Sequence, residues 1–327
     1  MENSTETSQT PSSSDTLGPK EQIPFADKIV AATNFLYKNY HTLPKGEQRD
    51  LSDTDGIRGD LTIQSIGKAT SQGVQVIAAD GGSSEEFLSA IKGFQSSGLL
   101  TIVSTNKPGR GPQRRAAFEK AIQLWVKQAI VYFQPEKDSL MDYLAAITKP
   151  IVDGSADIVV PARTSDLFEE FYPDYMRKSE LNVNRTYNRL MHKAGILPKD
   201  QNFDWFFGPL VFKNDPEIVS YFLKEYGLRY PIRSRIGAQP NPELHSDGYY
   251  FPIIEALFNK DRIVSVEIPF VYPKTQKDNE ISPERVAQFQ QRRKLDASAY
   301  RLEALHFLEY LKGNPNSKIQ QVKNSVK

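Results

Sequence analysis

Val74-Gln75-Val76-Ile77-Ala78-Ala79-Asp80-Gly81-Gly82-Ser83-Ser84 decides how this chain is read. Its first six residues are apolar apart from Gln75, as a strand buried on both faces of a sheet must be. The run breaks at an aspartate and two glycines. Ser84 then precedes a segment whose apolar residues Phe87, Leu88, Ile91 and Phe94 have helical spacing. Strand, turn and helix in this order form half of a βαβ unit. In open α/β sheets ligands bind beyond the carboxyl ends of the strands, where Asp80, Gly81 and Gly82 stand. The glycines let a ligand approach the backbone closely, and Asp80 can accept hydrogen bonds from a base or a ribose. The same residues also serve as a plain strand-to-helix turn capped by Ser84, which needs no ligand.

Working outward, the alternation continues. Lys28–Thr33, Leu99–Val103, Ile130–Phe133 and Asp157–Val160 read as further strands, and Arg262–Tyr272 as a late one. A polar loop after the first strand leads into a helix from about Arg58 to Gln72. A long helix begins at Ser282-Pro283 and runs to about Lys312; Phe289, Leu302, Leu305, Leu308 and Leu311 make it a packing helix. Tyr272–Lys277, just before it, is a candidate loop over a site. Alternating elements predict an α/β fold with helices on both faces of the sheet. Residues 1–20 are rich in Ser, Thr and Pro and are expected to be a disordered tail. Residues 21–163 and 164–312 then form two halves of one domain, and 313–327 a flexible tail.

The 327 residues carry 41 Lys+Arg against 40 Asp+Glu, a net charge of +1, which disfavours nucleic acid or an anionic membrane as the main partner. There is no cysteine, which removes disulfides, thiolate nucleophiles and cysteine-ligated metal sites. No apolar run approaches the ~18 residues of a membrane-spanning helix. The first ten residues are polar and acidic where a secretory signal is basic and then apolar. A cytoplasmic globular protein is expected.

Two other strand ends carry unusual residues. Gly109-Arg110-Gly111-Pro112-Gln113-Arg114-Arg115 places three arginines at the start of a helix, where the dipole disfavours cations. An anion such as a diphosphate bound there would offset that cost; alternatively the arginines face solvent or pair with acids. Gln134-Pro135-Glu136-Lys137-Asp138 follows the fourth strand. Glu136 there can hold a divalent cation that bridges substrate phosphates, or Asp138 caps a turn in which Glu136 and Lys137 are solvated. Phe203-Asp204-Trp205-Phe206-Phe207 sets an acid among aromatics. Trp205 can stack on a sugar ring and Asp204 can bond its hydroxyls, though most of the block reads as core.

Together these segments resemble the family 2 glycosyltransferases of GT-A fold, closely over Lys28 to Arg163 and loosely beyond. The resemblance implies a Rossmann-like GT-A fold with a mixed central sheet. It also implies a nucleotide-diphosphate-sugar donor and a small-molecule or glycan acceptor. On it, Asp80 contacts the nucleotide, the family's basic glycine-rich turn matches that of Arg110, Arg114 and Arg115, and Asp247 is the general base. Read from the residues alone, Asp247 is equally an ordinary helix cap, and Asp204 is the next candidate for the base. The family's Asp-x-Asp turn binds Mn or Mg. Here Gln134 replaces the first Asp and only Glu136 keeps a carboxylate, with His245 a possible extra ligand. That departure leaves a second reading, a non-catalytic nucleotide-sugar-binding protein on the same scaffold. A dehydrogenase is disfavoured because nothing after Thr33 resembles Gly-x-Gly-x-x-Gly. A sugar-nucleotide pyrophosphorylase is disfavoured because the glycine-arginine turn follows the third strand and not the first.

Overall fold

The computed structural model describes residues 23–105, 107, 109–124, 126–226, 228–229, 246–313 and 320–321. The first half runs β1 (Ile29–Phe35), α1 (Thr54–Ser71), β2 (Gln75–Asp80), α2 (Glu85–Ser96), β3 (Leu100–Ser104), α3 (Arg110–Ile122) and β4 (Ala129–Tyr132). Next come α4 (Leu144–Val152), β5 (Ile158–Arg163), α5 (Ser165–Phe171), α6 (Asp174–Ala194), β6 (Leu210–Lys213) and α7 (Pro216–Leu223). The chain continues with β7 (Leu228–Arg229), α8 (Ser246–Asn259), β8 (Ile263–Ile268), α9 (Lys274–Glu280), α10 (Pro283–Leu311) and β9 (Gln320–Gln321).

Seven strands form one sheet in the order β3-β2-β1-β4-β6-β5-β8, and β7 pairs with β9 separately. All neighbours in the large sheet are parallel except β6, which is antiparallel to both β4 and β5. The α/β class, the mixed sheet and the long C-terminal helix agree with the GT-A resemblance.

The period-2 alternation of strand side chains divides the core into two layers. Val30 and Ala32 of β1 point to the layer containing Phe118, Phe222, Phe251 and Phe307, from α3, α7, α8 and α10. Ile29 and Ala31 point to the other, with Ile66, Phe87 and Leu144 from α1, α2 and α4. Helices therefore cover both faces, and every residue of the central strand β4 is buried. Full burial of each aliphatic side chain contributes about 1.5–3 kcal/mol, which favours this two-layer arrangement over a sheet with one wet face.

Three sequence expectations change here. The first helix starts at Thr54, capped by Asp53 accepting from the Gly56 N–H, so Arg58 lies in its second turn. Tyr272–Lys277 is not all loop: residues from Lys274 form α9, which Asn279 ties to the Leu51 carbonyl and to the Thr54 hydroxyl at the start of α1. The four residues of β6 and the 21 of α6 went unread in the sequence.

Candidate functional site

A cavity of about 470 Å³ opens at the carboxyl ends of β1 and β4. The β1 end supplies Asn34 to Tyr37, and the turn after β4 supplies Gln134 to Lys137. Helix α3 adds Arg110, Gln113 and Arg114, and α8 adds Tyr249 and Tyr250. One face of α10 forms a wall, with Phe289, Arg292, Arg293, Asp296, Ala297 and Tyr300. Their spacing of three and four is what one face of a helix requires. The packing helix of the sequence reading thus also encloses the site.

A chain of hydrogen bonds ties four elements together across the cavity floor. Tyr249 Oη donates to Tyr132 Oη (3.0 Å), Tyr132 Oη donates to Asn34 Oδ1 (2.7 Å), and Asn34 Nδ2 donates to Gln113 Oε1 (3.3 Å). These residues bridge α8, β4, β1 and α3. Burial, with the neighbouring Tyr249, raises the Tyr132 phenol well above its ordinary pKa, so it remains a donor across the physiological range.

The arginines of the glycine-rich turn divide. Arg110 is exposed and lines the cavity. Arg114 also lines it, yet is only 1% exposed, because its guanidinium lies over the Tyr249 ring at 4.8 Å. Arg115 is not among the lining residues; it is buried, 3.4 Å from Glu225 and 3.9 Å from Asp247. Arg115 thus faces Glu225 and Asp247, whereas Arg110 and Arg114 face the cavity.

Asp80 ends β2 at the same edge of the sheet, although it is not among the lining residues. Its Oδ1 accepts from the Ser83 N–H (2.9 Å), and Ser84 caps α2, as a strand-to-helix turn requires. A Cβ on Gly81 would stand 2.4 Å from Gln113 Nε2, so that glycine admits the α3 side chain close to the backbone. Gly82 has φ +99°, a conformation that glycine alone adopts without strain.

The remaining sugar-binding and base candidates sit elsewhere. Asp204 is held by Arg163 through Nε and Nη2 (both 2.7 Å) and by Asn184 Nδ2 (2.7 Å). Burial alone would raise its pKa, but the Arg163 charge and these hydrogen bonds hold it below the usual carboxylate range. Trp205 is buried and donates its indole N–H to Asn188 Oδ1 (2.8 Å), so it has no free face for a sugar. Both side chains are engaged within the fold, and neither is among the cavity-lining residues. Asp247 is only 3% exposed, in the first turn of α8, and does not line the cavity. His245 lies outside the described residues.

Lys137, read as solvated, is buried against the Phe207 ring at 4.5 Å and donates to the Phe207 carbonyl. Burial first, and Arg163 second, push its pKa down to about 7 against the opposing pull of Glu180, Asp204 and Glu136. Asp296 is the cavity carboxylate with a perturbed pKa: burial raises it, opposed by Arg292, Arg293 and Arg110. Its helix spacing from Phe289 and Tyr300 was the signal that could have revealed it.

The residues present do not fit a divalent ion. Among the described residues no group of three His, Asp or Glu could hold one. The side chain of Gln134 is neutral and rests on Gly208, where a Cβ would stand 2.8 Å from its Nε2. Glu136 lies in the field of two cations, Arg58 and Lys137. Arg58 is itself raised in pKa: burial works against its charge, but Glu136 and Glu280 outweigh it. Among the described residues, Glu136 is thus a single carboxylate beside two cations.

No protein-family model matches the sequence, and no curated protein matches it. Among solved structures, the chain is similar to glucosyl-3-phosphoglycerate synthase from Mycobacterium tuberculosis. In its complex with Mn2+, UDP and glucosyl-3-phosphoglycerate, that enzyme is 11% identical over 90% of this chain and 84% of its own, with a TM-score of 0.47. Its complex with UDP gives 13% identity over 92% and 87%, with a TM-score of 0.49. A Desulfovibrio desulfuricans G20 protein described as a nucleotide-diphospho-sugar transferase is 10% identical over 73% and 80%, with a TM-score of 0.36. Likenesses this distant assign no role to any residue of this chain. No helix among the described residues is long and apolar enough to cross a membrane.

Proposed function

We propose that this protein is a glycosyltransferase that moves a sugar from a nucleotide-diphosphate donor to a hydroxyl of a small-molecule or glycan acceptor. One observation carries the reading. The cavity lies at the carboxyl ends of parallel strands, and α3 turns Arg110 and Arg114 into it beside a tyrosine- and asparagine-lined floor. Guanidinium groups pair with phosphate oxygens in a planar, bidentate fashion, while aromatic faces and phenols suit a sugar ring and its hydroxyls.

In this reading Asp80 contacts the nucleoside, and Arg110 and Arg114 hold the diphosphate. The acceptor oxygen attacks the anomeric carbon as the bond to the diphosphate breaks, and that electron pair leaves with the nucleoside diphosphate. A cavity carboxylate takes the acceptor proton, and Asp296 is the residue suited to it: it lines the cavity and its pKa is raised by burial. The arginines stabilise the charge that develops on the leaving group.

The test incubates the protein with a panel of nucleotide-sugars and candidate acceptors and follows nucleoside diphosphate release. Turnover of one donor supports the reading, and failure to bind any nucleotide-sugar overturns it. Gln134 in place of an acid favours the second reading, a non-catalytic nucleotide-sugar-binding protein; donor binding without turnover by any acceptor would establish it.

A further inference from the structure

Arg58 stands where a charge is most needed in the cavity. It projects from the second turn of α1, lines the cavity with Glu136 and Glu280, and keeps 28% of its side chain exposed. Among the described residues its one hydrogen-bond acceptor is Glu280, whose Oε1 lies 3.4 Å from Nη2. The carboxylate of Glu280 is otherwise occupied, by the Tyr272 hydroxyl at Oε2 (2.9 Å) and Gln276 Nε2 at Oε1 (3.2 Å). The Nε of Arg58 is buried with no hydrogen-bond partner. A guanidinium has five donors, so most of those of Arg58 are uncommitted at the wall of a cavity.

A divalent ion in an acidic turn does two things: it neutralises the carboxylate and it presents positive charge to phosphate oxygens. Arg58 meets both requirements. Its charge balances that of Glu136, which also lines the cavity, and its spare N–H groups match the geometry of a phosphate. The same charge repels a metal ion approaching Glu136.

We infer that Arg58 is a built-in cation that takes the place of a divalent metal, so that the cavity binds the diphosphate of its donor without one. The inference rests on the glycosyl-transfer reading and deepens it, because it identifies how the anionic end of the substrate is held. Arg58 is a binding residue here, alongside Arg110 and Arg114 of α3.

The experiment titrates UDP, GDP and ADP, as probes, into the full chain by calorimetry, once with EDTA and once with Mn2+. Wild-type protein is expected to bind at least one of them equally well in both conditions. The Arg58→Met variant is expected to bind that probe about tenfold or more weakly in EDTA, as for a lost charge-assisted hydrogen bond. Mn2+ should restore part of the loss, because Glu136 no longer faces the guanidinium. Arg58→Lys, which keeps the charge but not the fork, should fall between the two. Binding by wild type only when Mn2+ is present would overturn this inference and leave the transferase reading standing. Failure of every probe in both conditions would overturn both. Undiminished binding by a folded Arg58→Met variant in EDTA would also overturn the inference. If that variant does not fold, Arg58→Lys decides: affinity equal to wild type in EDTA overturns the inference and a loss supports it.

Discussion

Replacing Lys137 by Met should remove a specific component of the pH dependence of stability. The Lys137 ammonium sits between the Phe207 and Phe270 rings, at 4.5 and 5.8 Å, and its pKa is pushed down to about 7. In the unfolded chain it returns to about 10.4. Below the folded value both states bind the proton, and the full cost of burying the charge is present. Between the two values the unfolded state binds one proton more, so stability rises with pH. The limiting slope is about 1.4 kcal/mol per pH unit, and with the folded state nearly deprotonated the gain between about pH 7.5 and 9 is about 2 kcal/mol. Methionine keeps the apolar stem against the rings and has no proton to lose. Urea denaturation of both proteins at half-unit pH steps should therefore give curves that diverge by that amount, with the wild type gaining as pH rises. Curves that stay parallel would refute the reasoning, because the ammonium would then be charged throughout and its burial uncosted.

Three further outcomes follow from the geometry. Asp204→Ala leaves Arg163 buried without its bidentate partner, and stability should fall by about 3–5 kcal/mol in thermal or urea unfolding. Asp296→Asn should lower turnover by roughly 10²–10⁴-fold while donor affinity in calorimetry stays near wild type, whereas Asp247→Asn should show no such separation; the reverse pattern would return the base role to Asp247. Asp80→Ala should weaken nucleotide binding by about 1–3 kcal/mol, and unchanged affinity with an intact fold would confine Asp80 to its turn with Ser83.

Composition and short-range pattern determined a good deal here. The apolar run from Val74, the glycine-aspartate turn after it and the helical spacing of Phe87 and Ile91 are local properties, so strand, turn and helix follow from neighbouring residues alone. The same holds for Pro283 at the start of α10 and for β1, β3, β4 and β5, each within a few residues of its expected bounds. Strand β6 escaped because four residues carry too little pattern, and it is specified by pairing with Val131 and Val159, far away in the chain. Helix α6 escaped because its buried residues Met176, Val183, Tyr187 and Met191 are spread thinly through a polar sequence. What only the tertiary structure decided is which charged residues face one another. Gly109-Arg110 to Arg115 reads as one basic cluster, yet folding sends Arg110 and Arg114 to the cavity and Arg115 to Glu225. Lys137 reads as a solvated charge until the Phe207 ring covers it, and nothing near Arg58 in sequence announces that α9 brings Glu280 to it. Electrostatic character depends on burial and on partners distant in sequence, and neither is encoded in the residues alongside.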